Sequence, residues 1–167
     1  GMSTRMKLPR KSDGAQGIIA MRYLGVDPGK RRVGLAISDP GGRLASPLTV
    51  LERRSLEQLA REVAAVCGRE QVSAVVVGLP LNMNGTKGPA AAEAERLARK
   101  VSELTSLPVD LWDERLTSAR VERVLTEAEV SRAKRRAKVD MLAAQVILQG
   151  YLDARHREEG AADASEH

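Results

Sequence analysis

The sequence predicts an α/β protein whose single domain holds a mixed β-sheet with helices on its faces. Three β-rich runs follow one another between residues 22 and 51, and helix-like and strand-like segments alternate after them. The run "VSAVVVGLP" at 72–80 is continuously apolar, which is typical of a parallel strand covered on both faces. The chain has 167 residues, of which 43% are hydrophobic, so it is long enough to build one core.

The first three elements are predicted to be a β-meander. "RYLGVD" (22–27) and "VGLAISD" (33–39) are β-rich runs joined by "PGKRR", which is typical of a hairpin turn. "LASPLTVL" (44–51) is a third strand. Pro47 inside this run favours the edge of the sheet, because proline cannot donate to a central ladder.

Helical spacing begins after the third strand. Ser55 is the predicted N-cap of a first helix. Apolar residues then recur at helical intervals, and they are Leu56, Leu59, Ala60, Val63, Ala64 and Cys67. We therefore predict a helix that packs one apolar face against the sheet.

The second half of the chain is predicted to alternate between helices and a strand. The predicted elements are a helix over about 89–105, a strand at 107–114, a short helix over about 118–125 and a final helix over about 139–156. The basic segment "SRAKRRAK" at 131–138 is predicted to be a loop or a fraying helix. Strands followed by helix–strand alternation indicate a mixed sheet.

Both ends of the chain are predicted to be disordered tails. Residues 1–20 are basic and low in large apolar groups, residues 157–167 are polar, and the folded domain is expected at 21–156. The apolar runs fall short of the roughly 18 residues that a membrane span needs, and no signal-peptide core follows the basic start. We therefore expect a cytoplasmic protein with no membrane partner.

Composition excludes several kinds of chemistry. The one cysteine, Cys67, excludes an internal disulfide and a cysteine-rich zinc site, and we expect it to pack in the core. The two histidines, His156 and His167, lie near the C-terminus, so histidine-based catalysis inside the domain is not expected. The net charge of +5 permits a polyanionic partner without requiring one. Any catalysis would then rest on carboxylates, amides and cations.

Four carboxylates stand at positions where an α/β fold could bring them together. Asp27 ends the first strand, Asp113 and Glu114 end the last strand, and Asp140 opens the predicted last helix. Sites in open α/β sheets lie at the carboxyl ends of the strands. Gathered carboxylates suit Mg²⁺ or Mn²⁺, and two such ions about 4 Å apart can activate a water for phosphodiester hydrolysis.

Each carboxylate also has a purely structural interpretation. Asp27 could be an ordinary turn residue, and Asp140 could be an acid favoured by the dipole at a helix N-terminus. Asp113 and Glu114 are adjacent, so at most one of them points at Asp27 while the strand continues. The other could pair with Arg115 or cap the next helix.

Four segments occur in the chain in a fixed order: "GVDPGKRRVGLAISD", "VVVGLPLNMNG", "DERLTSARVERVL" and "KVDMLAAQVILQGYL". With them the chain resembles the Holliday junction resolvase family, whose members are also described as pre-16S ribosomal RNA nucleases and have an RNase H-like fold. The resemblance covers about residues 21–153. One motif alone would be weak evidence, because Asp-x-Gly turns are common, but four in order are specific.

The resemblance implies a five-stranded mixed sheet with an antiparallel second strand and an acidic metal site. By position, the implied catalytic and metal-binding residues are Asp27, Glu114 (or Asp113) and Asp140, with Mg²⁺ or Mn²⁺ as the cofactor. The implied reaction is metal-dependent hydrolysis of phosphodiester bonds, either at the 5′ end of pre-16S rRNA or in Holliday junction DNA. The resemblance does not choose between these substrates, and it adds ribosomal particles to the expected partners.

Basic and amide side chains around the acids are the predicted contacts of the nucleic acid. They are Lys30, Arg31 and Arg32 in the first hairpin, Asn82, Asn84 and Lys87 after the central strand, and Arg132, Lys134, Arg135, Arg136 and Lys138 before the last helix. An ordinary turn explains the amide-rich loop equally well, and a basic run is usually a solvated surface. Arg115 is expected to orient a carboxylate, and Gly25 and Gly34 to allow close packing between strands.

The scarcity of aromatic residues bears on how a nucleic acid would be recognised. Only Tyr23, Trp112 and Tyr151 are aromatic, so no stacking platform for single-stranded bases is evident. We expect weak sequence specificity and strong salt dependence.

Two other function classes remain open. The first is a non-catalytic nucleic-acid-binding factor in ribosome assembly that keeps an RNase H-like fold. The second is an actin-like ATPase, because an Asp-x-Gly hairpin also occurs there, although that fold needs two domains and a far longer chain. An isologous dimer is only the general expectation for soluble proteins.

Overall fold

The computed structural model of the chain describes residues 20–116 and 132–165, with side chains described at 20–116 and 138–160. The predicted N-terminal tail up to residue 19 and the predicted short helix at 118–125 lie outside these residues. Among the described helices, none combines the length and apolar composition that crossing a membrane requires.

Within the described residues the strands form one five-stranded sheet in the order β3-β2-β1-β4-β5. The strands are β1 (Tyr23–Pro28), β2 (Arg32–Ser38), β3 (Ala45–Glu52), β4 (Ala74–Leu79) and β5 (Val109–Asp113). β2 runs antiparallel to β1 and β3, whereas β4 is parallel to β1 and β5. The predicted mixed sheet with an antiparallel second strand is confirmed, as is the edge position of the strand that carries Pro47.

Three α-helices accompany the sheet in the described part of the chain: α1 (Leu56–Arg69), α2 (Pro89–Thr105) and α3 (Arg132–Ser165). The predicted N-cap is confirmed, because the Ser55 side chain accepts from the backbone N–H of Gln58 and the Gln58 side chain accepts from the N–H of Ser55. A 3₁₀ turn (Glu114–Leu116) directly follows β5. The last strand is therefore shorter than predicted, and Glu114 lies just beyond it.

The helices cover both faces of the sheet, so the side chains of the central strands alternate between two cores. The core beneath α1 and α2 takes from β1 and β4 the residues Leu24, Val26, Val75 and Val77. The core beneath α3 takes from the same strands Tyr23, Ala74 and Val76. Burial on both faces explains why the central strand is continuously apolar. Cys67 is buried in the first core, as predicted.

The last helix is longer than predicted in both directions. α3 begins at Arg132, so of the two predictions for the basic segment at 131–138, a loop or a fraying helix, the structure favours the helix. It continues to Ser165, so the predicted disordered tail at 157–167 is wrong as far as residue 165. The tail is rich in Glu and Ala, which favour helices, and an Arg155–Glu159 ion pair at i,i+4 adds to this.

The three aromatic residues meet where α3 crosses the sheet. The rings of Tyr23 and Tyr151 lie 6.0 Å apart, and Trp112 meets Tyr151 edge-on at 5.8 Å. The Arg155 guanidinium lies 5.9 Å from the centre of the Tyr23 ring. Burial raises the pKa of Tyr151, and the neighbouring Asp110 carboxylate acts in the same direction. These rings hold the helix on the sheet.

Two glutamines of α3 also bind the edge strand. Gln149 Oε1 accepts from the backbone N–H of Ala45 at 2.9 Å, and Gln145 Nε2 donates to the carbonyl of Ala45 at 3.0 Å. Together with the aromatic contacts, these bonds fix the position of α3 across β1, β2 and β3.

Candidate active site

Asp27 lies near the carboxyl end of β1, with its side chain on the face that α3 covers. A Cβ placed at Gly25, two residues earlier, would lie 2.7 Å from the Cβ of Leu148 on α3. Since strand side chains alternate between faces, Asp27 faces the same side. Its exposed fraction is only 5%, which is less than a solvated turn residue would show. Asp27 is therefore enclosed between the sheet and the last helix.

Gly34 lies directly across from Asp27 on the antiparallel strand β2. A Cβ at Gly34 would overlap the backbone carbonyl oxygen of Asp140 on α3. The helix thus touches the sheet through its backbone, next to Asp27. The predicted role of Gly25 and Gly34 in strand packing is wrong, because the close neighbour at both positions is a helix.

Gly78 of β4 lies on the other side of Asp27. Val26 pairs with Val77 in the parallel ladder of β1 and β4, so the residues that follow them are also neighbours. A Cβ at Gly78 would lie 2.8 Å from Oε1 of Glu114. The Glu114 carboxylate, in a residue that is 5% exposed, therefore occupies the space above Gly78 and beside Asp27.

The neighbouring acid, Asp113, serves a different purpose. Its carboxylate accepts hydrogen bonds from Nε and Nη2 of Arg115 and from the backbone N–H of Arg115. The Asp113 bond raises the pKa of the Arg115 guanidinium. The predicted alternative that one acid pairs with Arg115 is confirmed. Of the two candidates, Glu114 is the acid that approaches Asp27.

Asp140 lies well inside α3, whereas it was predicted to open the helix. The helix dipole acts only over the first turn, so the predicted dipole explanation for Asp140 is wrong. The side chain instead forms an ion pair with Arg32, whose Nε lies 2.8 Å from Oδ2 of Asp140. The predicted phosphate contact Arg32 is thus bound to one of the predicted metal ligands.

The donor chemistry at this edge of the sheet fits a divalent cation. Asp27 and Glu114 bring carboxylate oxygens to neighbouring buried positions, and hard oxygen ligands suit Mg²⁺ and Mn²⁺. Over the described residues, however, no group of three or more Asp, Glu, His or Cys side chains is arranged to hold a metal ion. The third predicted ligand, Asp140, reaches the same edge with its backbone while its carboxylate pairs with Arg32.

The loop after β4 is a compact turn. The Asn82 side chain donates to Oγ1 of Thr86 at 2.9 Å, and Oδ1 of Asn84 accepts from the backbone N–H and the hydroxyl of Thr86. Gly85 takes a positive φ of 86°, which a residue with a Cβ rarely adopts. These bonds support the turn interpretation of the two asparagines, and their contact with a nucleic acid stays a prediction.

The predicted phosphate contacts differ in their surroundings. Lys30 and Arg31 are exposed at the tip of the first hairpin, and Lys138 is exposed on α3. Lys87 pairs with Glu95 on α2 at 3.2 Å. The backbone of α3 carries the remaining basic candidates, whose side chains lie outside the described ones: Arg132, Lys134, Arg135 and Arg136.

Arg53 is a residue that the sequence analysis missed. Its Nη1 donates to the carbonyl of Gly29 at 3.1 Å, and its Nη2 pairs with the carboxylate of Glu93 on α2. The side chain is 13% exposed, so it is mostly enclosed. Its one signal is its position directly after β3. The last residue of β3, Glu52, lies opposite Arg32 in the β2–β3 ladder, beside the hairpin. Arg53 thus anchors the hairpin loop that follows Asp27.

A family model described as "RuvX: Holliday junction resolvase" matches residues 21–154 of the chain. The chain belongs to this family. A protein of Syntrophomonas wolfei named "Putative pre-16S rRNA nuclease" is 47% identical over 133 residues, which are 80% of this chain and 94% of the relative. A relative of the same name in Symbiobacterium thermophilum is 48% identical over 135 residues, which are 81% of this chain and 94% of the relative.

Solved structures share the fold of this family member. The RuvC protein of T. thermophilus, solved in complex with a Holliday junction substrate, matches with a TM-score of 0.54 at 18% identity. The match covers 81% of this chain and 96% of that one. At this identity the likeness concerns the fold alone, and it confirms the predicted RNase H-like class.

Proposed function

We propose that this chain is a metal-dependent endonuclease that hydrolyses phosphodiester bonds at the edge of the sheet where Asp27 and Glu114 meet. The observation that carries the proposal is the placement of these two buried carboxylates side by side, over Gly78 and beneath α3. Membership in a family described as a resolvase, with relatives named as nucleases, supports the same reaction class.

In this proposal some residues bind the cation or the phosphates, and another holds the hairpin loop in position. Asp27 and Glu114 hold the cation, with Asp140 as the third ligand. A divalent ion bound there supplies a water of lowered pKa and positive charge for the leaving oxygen. Lys30 and Arg31, exposed in the hairpin that follows Asp27, bind the phosphates of the strand and set its position. Arg53 keeps the hairpin loop in place through Gly29.

Precursor 16S rRNA is the substrate that we favour, in maturation of its 5′ end. Curated relatives at 43% to 48% identity share the rRNA nuclease name over most of their length. Such a nuclease would act in the cytoplasm on immature ribosomal particles. The description of the family model favours branched DNA as the second candidate.

Cleavage assays on both substrates test the proposal. Purified protein is incubated with precursor rRNA and with four-way DNA junctions, in the presence of Mg²⁺ or Mn²⁺. We expect cleavage by the wild type and none by Asp27→Asn. Glu57→Gln, an exposed change on α1 at the opposite face, is the matched control and should cleave normally. Binding without cleavage would favour a non-catalytic assembly factor, and cleavage of the junction alone would favour the second candidate.

A further inference from the structure

The ion pair between Arg32 and Asp140 lies at the edge of the candidate site. Arg32 begins β2, two residues before Gly34, and so lies on the face that α3 covers. The side chains of Arg32 and Asp140 are 31% and 18% exposed, so the pair is partly open to solvent. The exposed cations Lys30 and Arg31 immediately precede it in the hairpin.

We propose that Arg32 is a positioning residue that holds the Asp140 carboxylate away from Asp27 and Glu114 until a nucleic-acid phosphate displaces it. The inference rests on the proposed function. The Asp140 backbone packs on Gly34, next to Asp27. Even so, no three acids among the described residues form a metal-holding group. The ion pair with Arg32 explains why Asp140 lies near the site without its carboxylate joining such a group.

When Arg32 moves from Asp140 to a phosphate and Asp140 moves to the cation, each charged group keeps a partner of opposite charge. In the free protein Arg32 neutralises Asp140. Three carboxylates close together would repel one another, so Asp140 can join the other two only when a cation is bound. A phosphate diester offers the guanidinium two oxygens in a geometry that it prefers, and it therefore competes with the carboxylate. The released Asp140 carboxylate would then be available to hold the cation together with Asp27 and Glu114.

This arrangement makes the binding of cation and nucleic acid cooperative. Each ligand favours the state in which Arg32 and Asp140 are apart, so each raises the affinity for the other. A site that is complete only with the substrate in place would limit the cleavage of nucleic acids that do not reach Arg32.

Calorimetric titration with Mn²⁺ tests the inference without measuring activity. In the absence of nucleic acid, Arg32→Gln should bind Mn²⁺ about tenfold more tightly than the wild type. In an Asp140→Asn background the same change should raise the affinity by at most about threefold, which is the screened effect of removing one charge. Arg99→Gln, an exposed change on α2 at the opposite face, removes the same charge and should leave the affinity unchanged.

A second measurement uses the wild-type protein. A phosphorothioate oligonucleotide that resists cleavage should raise its Mn²⁺ affinity about tenfold, and should have a much smaller effect on Arg32→Gln.

The outcomes separate this inference from the proposed function. Equal or weaker Mn²⁺ binding by Arg32→Gln would overturn the positioning role, as would an equal gain in the Asp140→Asn background. Absence of Mn²⁺ binding in every variant, with and without the oligonucleotide, would overturn the metal-dependent function itself.

Discussion

The guanidinium of Arg115 donates to both carboxylate oxygens of Asp113, with Nη2 at 2.8 Å from Oδ2 and Nε at 3.1 Å from each oxygen. A further bond joins Nη1 of Arg115 to the carbonyl of Met83 at 3.2 Å. The turn after β5 is thus tied to the loop after β4. This network holds the Asp113 carboxylate on the Arg115 guanidinium, whereas the Glu114 carboxylate lies over Gly78, beside the strand of Asp27.

The two adjacent acids should therefore respond differently to loss of charge. Glu114→Gln should lower the cleavage rate by at least about 100-fold, because it removes a carboxylate from the cation site. Asp113→Asn should keep most of the activity and lower the melting temperature, since it weakens the bonds to Arg115. Rates and melting curves of the two variants decide the point, and a larger loss of activity in Asp113→Asn would contradict it.

The glycine beneath Glu114 should tolerate no side chain without loss of activity. A methyl group at Gly78 would lie 2.8 Å from the Glu114 carboxylate, so Gly78→Ala should displace it and reduce cleavage. The control is Gly68→Ala on α1, where a Cβ meets nothing within 4 Å. This control should raise the free energy of unfolding by about 0.5–1 kcal/mol and leave cleavage unchanged.

Arg53 should stabilise the fold through its bonds to the hairpin and to α2. Arg53→Gln should lower the free energy of unfolding by about 1–3 kcal/mol, because it leaves Gly29 and Glu93 without this donor. The adjacent Arg54→Gln, at a side chain that is 67% exposed, should change it by less than about 0.5 kcal/mol. Urea unfolding of both variants measures the difference, and equal effects would contradict the assignment.

Binding of nucleic acid should depend strongly on salt. Each phosphate contact contributes about 0.7 to 0.9 to the slope of log affinity against log salt concentration. Lys30→Gln and Arg31→Gln should each reduce the slope by about that amount, whereas Arg99→Gln should not. Fluorescence anisotropy at several salt concentrations measures the slopes, and binding that survives high salt would contradict the prediction.

The stability of the protein should fall in alkaline solution. Burial raises the pKa of Cys67 to about 11, from an ordinary value of 9.0. The folded state therefore holds this proton more tightly than the unfolded state, so the stabilisation is complete below pH 9 and is lost as pH rises towards about 11. Cys67→Ala should reduce the slope of the unfolding free energy against pH in this range by up to about 1.4 kcal/mol per pH unit. Unfolding free energies of both proteins across that range check the sign.

The strands and the first two helices could be predicted because their signals are local. The N-cap at Ser55 and the edge position that Pro47 requires each depend on residues close in sequence. The ends of α3 could not be predicted in this way. Its first residues are basic and lack apolar periodicity, so the helix there follows from the helix propensity of Arg, Lys and Ala.

The sequence predicts which acids are candidates for the site, but not how they are arranged. Alternation along a strand cannot decide between Asp113 and Glu114, because β5 ends at Asp113 and a 3₁₀ turn begins. The bond between Arg32 and Asp140 joins residues that are 108 apart in sequence, so no local pattern indicates it. The same holds for Arg53, whose bonds to Gly29 and Glu93 reach residues 24 and 40 positions away in the sequence.

The aromatic contact beneath α3 has a practical consequence. Trp112 is the single tryptophan of the chain, it precedes Glu114 by two residues, and its indole meets Tyr151 on the helix. The intrinsic fluorescence of Trp112 therefore reports, without any added label, whether α3 is packed against the sheet beside Asp27 and Glu114.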